Sequence, residues 1–354
     1  MQAIDIYAGK EAYQHIEQHG LKPEHIRMII GASGGPKWFV LSHLDRYLVQ
    51  HWLPAIPHKI DLVGSSIGAF RMACYASKNP LQAIKNLESN YVNQRYSAKP
   101  TAREVTQSVE DMLDVIVSSD DLLHHQLRKL HIIAARTKGY CSSENKFIQM
   151  MGLSAVVLGN YLSRNTLPLW FDRVIFQSPG GELPVENWDK FKTSTITLCE
   201  ENYRDALFAS GAIPIVIEGV KTPFGAPEGL YRDGGMVDYH FDLPFKPGNG
   251  LVLYPHFSPV LKPGWFDKSI ARRKISADNY SHTVVVCPSR QFIDSLPYQK
   301  IPDRKDFDKM DTETRIRYWK TAVDKSVQIA EQFDQWASTG ASITDVQPIE
   351  AIAR

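Results

Sequence analysis

Hydrophobic positions in this chain fall into short unbroken runs, separated by longer stretches in which apolar residues return every three or four positions. Ile26 to Ile30 is the first clear run and predicts a buried strand. A Gly-rich turn, Gly31 to Gly35, follows it. Pro36 then suits the first turn of a helix, where a missing N–H is not needed, and that helix is expected to reach Gln50. Ile60 to Val63 predicts a second strand that breaks at Gly64, with a helix starting near Ile67 and running through Ala73. Leu130 to Ala135, Val174 to Gln177, Leu251 to Tyr254 and Thr283 to Val286 read as further core strands. Tyr203 to Ser210 reads as a helix and Ile213 to Val216 as an extended segment. Near the C-terminus, Ile316, Trp319, Val323, Val327, Ala330 and Phe333 recur at helical spacing behind Asp311, a reasonable N-cap. Strands alternating with helices imply an α/β fold, with a mainly parallel central sheet covered by helices on both faces. Sites in such sheets form outside the carboxyl ends of the strands, and both Gly-rich turns sit at that kind of edge.

The 354 residues permit two domains at a prior of roughly 150 residues each, or one large α/β unit. No repeat, low-complexity tract or Ser/Gly-rich linker divides them, so a single unit spanning 1–354 is expected. Hydrophobic residues make up 43% of the chain, which excludes disorder throughout. Lys and Arg number 40 against 39 Asp and Glu, a formal charge of +1. That balance argues against a nucleic-acid partner, which calls for an excess of cations. Cys74, Cys141, Cys199 and Cys287 are far apart and form no Cys-x-x-Cys pair, so neither a zinc ribbon nor a disulfide scaffold is expected. The segment from Met1 to Lys10 lacks the apolar core of a secretory signal, and no apolar run approaches the roughly 18 residues that span a bilayer. The expectation is a soluble, reduced, cytoplasmic protein.

Three segments carry candidate chemistry. Gly64-Ser65-Ser66-Ile67-Gly68 fits G-x-S-x-G with Ser66 at its centre. On a tight strand-to-helix turn, that spacing exposes the serine Oγ at a helix N-terminus, where developing negative charge is favoured. Ser65 is off the pattern and packs or caps. The second segment, Gly31-Ala32-Ser33-Gly34-Gly35-Pro36-Lys37-Trp38, fails as a Walker A loop. Pro36 and Trp38 stand where that loop needs Gly and Ser/Thr. It reads better as an oxyanion hole with N–H donors from Gly34 and Gly35, the plainer reading being a helix-capping turn. Lys37 is either a partner for an anion or a solvated charge. The third segment, Tyr231-Arg232-Asp233-Gly234-Gly235, offers Asp233 either as general base toward Ser66 or as the head of an Asx turn.

Together these segments resemble the patatin-like phospholipase family of lipid acyl hydrolases. That family orders a Gly-rich oxyanion loop, then G-x-S-x-G, then a late D-G-G or D-G-A. Here the order is Ser33-Gly34-Gly35-Pro36-Lys37, then Gly64 to Gly68, then Asp233-Gly234-Gly235. Ala209-Ser210-Gly211-Ala212-Ile213-Pro214 is similar to the A-S-x-A-x-P element of bacterial members. The likeness covers roughly residues 26–244, leaving 245–354 without a motif. It implies a three-layer patatin-like sandwich and a Ser66–Asp233 dyad acting through a covalent acyl-enzyme. It also implies an oxyanion hole at Gly34, Gly35 and the Ile67 N–H, with no metal or cofactor. The implied partner is a lipid or acyl-ester substrate, reached through transient contact with a membrane surface. The family's loop reads G-G-G-x-[RK]-G, so Ser33 and Trp38 depart from it, and bulky Trp38 is expected to alter the helix start or the acyl groove.

Rival readings are specific. A Ser-His-Asp esterase or thioesterase needs a histidine after the acid, and His240, His256 and His282 are the candidates. A non-catalytic lipid-binding protein on the same fold would keep the cavity without turnover. His124, His125 and His131 are close in sequence but fit no zinc spacing, and a polar helix face explains them better. Arg272-Arg273-Lys274 either touches anionic headgroups or is a solvated loop. Trp170, Trp265 and Phe266 either line an acyl groove or fill the core.

Overall fold

The computed structural model describes residues 2–353, apart from the side chains of residues 120 and 121. Its centre is one mixed, mostly parallel sheet of eleven strands. In chain order these are β1 (Ile4–Ala8), β2 (Ile26–Gly31), β3 (Ile60–Ser65), β4 (Arg128–Thr137), β5 (Phe171–Gln177), β6 (Thr193–Thr197), β7 (Val220–Lys221), β8 (Leu230–Asp233), β9 (Leu251–Pro255), β10 (Thr283–Pro288) and β11 (Val346–Pro348). The spatial order is β11-β1-β10-β9-β2-β3-β4-β5-β6, with β8 on β4 and β7 on β8. The stretch β10-β9-β2-β3-β4 is parallel throughout. Successive residues of β9 and β10 are all buried, as only strands covered on both faces can be. Residues beyond 245 supply β9 and β10, next to β2, so the segment without motifs belongs to the same sheet.

Register explains why the three motif segments meet. Gly31 at the end of β2 pairs with Gly64 at the end of β3, so the two Gly-rich turns leave the sheet side by side. On the other flank β3 pairs with β4 as far as Ser65↔Ile133. The ten-residue β4 continues past that point, and β8 pairs with its exposed remainder, beginning at Ala134↔Asp233. One strand ends at Ser65 and the next in the same lane ends at Asp233, which brings Ser66 and Asp233 head to head.

Most expected elements form, with three corrections. The helix expected from Pro36 to Gln50 is three pieces: a 3-10 turn (Gly35–Leu41), an α-helix (Ser42–Tyr47) and a π turn (Leu48–Trp52). Pro36 removes a donor at its start, and Trp38, Phe39, Val40 and Leu41 are all buried in succession, which a one-sided surface helix does not require. Ile213 to Val216 is a turn rather than an extended segment, because the amides of Val216 and Ile217 donate back to the Ile213 carbonyl at 3.3 and 3.0 Å. The C-terminal helix is two, Thr312–Lys325 and Val327–Ser338, broken at Ser326, whose Oγ donates to the Val323 carbonyl. Asp311 does cap the first, accepting from the Thr314 amide at 2.9 Å.

Candidate active site

Ser66 sits between β3 and the Ile67–Ala76 helix with φ 56° and ψ −131°. A non-glycine residue held at positive φ is strained, and such strain persists only where the surroundings fix it. Packing at the glycines supplies that constraint: a Cβ on Gly68 would lie 1.8 Å from the Gly31 carbonyl oxygen, and one on Gly64 would lie 2.4 Å from the Gly68 oxygen. The spacing of G-x-S-x-G is therefore a packing requirement between β2, β3 and the helix. Ser210 fixes the turn from the other side. Its Oγ accepts from the Ser66 amide at 2.9 Å and donates to the Ile133 carbonyl at 2.6 Å.

The Ser66 hydroxyl donates to Asp233 Oδ2 at 2.8 Å. The other carboxylate oxygen accepts the Gly235 amide at 2.7 Å. The Asx-type turn forms, and its bond orients the carboxylate that faces Ser66. Gly234 permits the arrangement, because a Cβ there would meet the Ile133 carbonyl oxygen at 2.1 Å. Burial raises the Asp233 pKa above the ordinary carboxylate value, against the opposing pull of Ser66, the Gly235 amide, Arg304 and Lys268. A raised pKa makes Asp233 a stronger base than a solvated aspartate.

Gly34 and Gly35 line the cavity in front of Ser66, and Gly35 adopts φ 57°. Gly35 opens a 3-10 turn and Ile67 opens a helix, so their N–H groups lack intrahelical acceptors. Ser33, the departure from the family loop, ties the two turns together. Its Oγ bonds Ser65 Oγ at 2.7 Å and donates to the Ser65 carbonyl at 3.1 Å. Trp38, the other departure, lines neither cavity at Ser66. It is buried in the core, its Nε1 donating to Asp45 Oδ2 at 2.5 Å. Arg71 and Tyr75 hold the same carboxylate.

Two cavities meet at Ser66. One, of about 280 Å³, is the more polar of the two and includes Ser66, Asp233, Lys37, Tyr239, Lys268 and Arg304 in its wall. The other, of about 220 Å³, is mostly apolar and runs past Ile67, Phe70, Tyr91, Val109, Met112 and Phe307. Lys37 borders the polar cavity, with Nζ 5.2 Å from the Phe257 ring centroid, and burial lowers its pKa. Lys268 and Arg304 come from the segment that carries no motif, and no local pattern marks them. Burial, helped by nearby Lys37 and Arg304, brings Lys268 down to about 7.

Among the described residues, no histidine lines either cavity. His240 is buried beside His256, its Nδ1 accepting from the Lys262 amide at 2.9 Å, and burial holds it well below the usual imidazole pKa. Burial likewise brings His256 down to about 3. His282 borders a separate cleft. His131 bonds Asp61 at 2.9 Å, while His125 accepts the amides of Leu127 and Arg128. The aromatic trio divides. Trp265 lines the polar cavity, Phe266 is buried and stacks on Phe171, and half-buried Trp170 packs against the same small core. Arg272 and Arg273 donate to the carbonyls of Tyr161 and Asn160, at the end of the Lys146–Leu162 helix. No helix among the described residues is long and apolar enough to cross a membrane. No protein-family model matches the chain, and no curated protein is significantly similar to it.

Proposed function

We propose that the protein is a serine acyl hydrolase of patatin-like fold that cleaves fatty-acyl esters of lipids through Ser66 and Asp233. The observation that carries this reading is the direct 2.8 Å bond from the hydroxyl of a strained serine to a buried carboxylate. Asp233 takes the Ser66 proton as Oγ attacks the acyl carbonyl, and the Gly34, Gly35 and Ile67 N–H groups receive the developing oxyanion. Collapse breaks the bond to the alcohol, which leaves with the proton held by Asp233. Asp233 then takes a proton from water, the hydroxide attacks the acyl-Ser66 carbonyl, and the fatty acid departs as Ser66 regains its proton. No histidine and no metal enters this sequence.

A lipid substrate is favoured by the Lys146–Leu162 helix, whose polarity is inverted. It buries Gln149, Gly152, Val156 and Asn160, while Phe147, Leu158 and Leu162 are 72%, 70% and 81% exposed. It contains no Asp or Glu. Its inward polar residues tie it to the cavity walls: Gln149 accepts the Ile215 amide at 2.8 Å, and Asn160 donates to Asp267 at 2.9 Å, beside Trp265. An exposed apolar face with Lys146 at its start and Arg272 bonded to the Tyr161 carbonyl near its end suits an anionic lipid surface.

The test is turnover of a water-soluble monomeric ester and of a vesicle-borne lipid ester by wild type and Ser66→Ala. Turnover of both by wild type alone supports the reading. Lipid binding without turnover by either protein favours the non-catalytic alternative.

A further inference from the structure

Tyr91 lies in the last turn of the Pro80–Val92 helix, and its hydroxyl reaches the Gly-rich loop in front of Ser66. The phenol oxygen is 3.1 Å from where a Cβ on Gly35 would sit, so glycine at that position is what admits it. The mostly apolar cavity that Tyr91 borders also holds Ser66, Gly35 and Ile67, the nucleophile and two of the three proposed oxyanion donors.

Packing from other elements fixes the ring. It stands edge-on to Phe39, in the 3-10 turn that Gly35 opens, with centroids 5.4 Å apart. It stands edge-on also to Trp319, in the Thr312–Lys325 helix, at 6.2 Å. The loop itself is held by Phe257, whose ring a Cβ on Gly34 would meet at 2.4 Å. Phenol and loop are therefore set against each other before any substrate enters.

Among the described residues, nothing hydrogen-bonds the Tyr91 hydroxyl. The Tyr96 hydroxyl in the same wall, by contrast, donates to Ser108 Oγ at 3.4 Å. Burial raises the Tyr91 pKa, against the pull of Arg304, so the phenol keeps its proton and remains a donor. A fixed donor without a protein partner, beside the loop that meets developing negative charge, has the properties that electrostatic stabilisation of a transition state requires.

We infer that Tyr91 is a catalytic residue: its hydroxyl donates to the acyl carbonyl oxygen as Ser66 Oγ adds to the carbonyl carbon, a side-chain donor beside the N–H groups of Gly34, Gly35 and Ile67. The inference rests on the hydrolase reading and adds to its site a residue that none of the sequence motifs contains. The bond strengthens as negative charge builds on that oxygen, so it acts on kcat more than on KM.

The experiment compares full-length wild type with Tyr91→Phe, which removes one oxygen and keeps the ring. Affinities are measured for decyl trifluoromethyl ketone and decyl methyl ketone. Ser66 Oγ adds to the fluorinated ketone: the O–C bond forms, the Ser66 proton passes to Asp233, and the carbonyl oxygen becomes the oxyanion. The methyl ketone fills the same cavity without adding, so the ratio of the two affinities reports the oxyanion alone. Tyr91→Phe is expected to lower that ratio and kcat on a soluble ester at least about tenfold each, with KM little changed. The melting temperature should not fall, because no hydrogen bond within the protein is lost. A ratio and kcat equal to those of wild type overturn the inference and leave the hydrolase reading intact. Equal weakening of both ketones overturns it too, since that is contact with the chain rather than with the oxyanion. A wild type that turns over no ester and binds the two ketones alike overturns the hydrolase reading and the role of Tyr91 with it.

Discussion

The carbonyl oxygen of Gly31 occupies the place where Gly68 would carry a Cβ, 1.8 Å from the ideal position. That contact clamps the helix behind Ser66 against the end of β2, and it leaves only backbone to give way. Gly68→Ala is expected to cost about 3 kcal/mol or more, in the range of severe overpacking. A chemical denaturation midpoint unchanged by Gly68→Ala would show that the clamp is loose.

Ser210 bridges the Ser66 amide and the Ile133 carbonyl, and both become unsatisfied when its hydroxyl is removed. Ser210→Ala is expected to lose about 1–3 kcal/mol of stability. It also frees the strained elbow, so kcat on a soluble ester should drop about tenfold with KM little changed. Steady-state kinetics beside a thermal melt check this. A melt that shifts without a change in kcat would reduce Ser210 to a packing role.

Burial raises the pKa of Asp233 in the folded protein above its unfolded value of about 3.9. The sign follows from linkage: the cost of keeping it ionised is fully present above the folded pKa and vanishes below the unfolded one. Asp233→Asn should therefore abolish turnover while leaving the protein at least as stable as wild type at pH 7, the difference shrinking toward pH 4. Melts across that range, with the acid limb of kcat/KM lying above the pKa of a solvated aspartate, are the check. A variant much less stable at pH 7 would contradict it.

Trp38 donates to Asp45, which also holds Arg71 and Tyr75 away from both cavities. Trp38→Phe should lower stability by about 1–3 kcal/mol through an unmet buried acceptor. Preference among ester chain lengths should not change. A shifted chain-length profile would return Trp38 to the acyl groove.

The inverted helix gives a different kind of readout. Leu158→Asp combined with Leu162→Asp should cut turnover of esters in anionic vesicles about tenfold, by removing exposed apolar area. A monomeric soluble ester should be turned over as before. Equal loss on both substrates would deny the surface a role in lipid docking, and a fall in solution mass on substitution would assign the face to a second copy of the chain.

Much of this site was legible because its constraints are local. Gly64, Ser66 and Gly68 are required by one turn, and Asp233, Gly234 and Gly235 by another, so each leaves a contiguous trace. The strands ending at Gly31 and Ser65 are likewise plain, being mostly apolar and buried at every position but one. What stayed hidden is set by distant packing. Strand β8 is short and carries Arg232 and Asp233, and its strand geometry comes from pairing with the overhang of β4. The irregular winding after Gly35 reflects burial of four successive large residues rather than a periodic face. Lys268 and Arg304 reach the cavity only because β9 and β10 insert beside β2, which no spacing within residues 245–354 announces. The outward apolar face of residues 146–162 escaped notice because periodicity shows that a helix has a face, not which way it points.

The central claim is that Asp233, and no histidine, activates Ser66. Its most direct test is the rate at which a fluorophosphonate labels the protein, with the modified peptide mapped by mass spectrometry, in wild type, Ser66→Ala, Asp233→Asn and His240→Ala. The account requires labelling at Ser66, lost in Ser66→Ala, slowed at least about a hundredfold in Asp233→Asn as removal of a general base does, and retained in His240→Ala. Labelling at another residue, or labelling of Ser66 that survives Asp233→Asn and vanishes in His240→Ala, would contradict it.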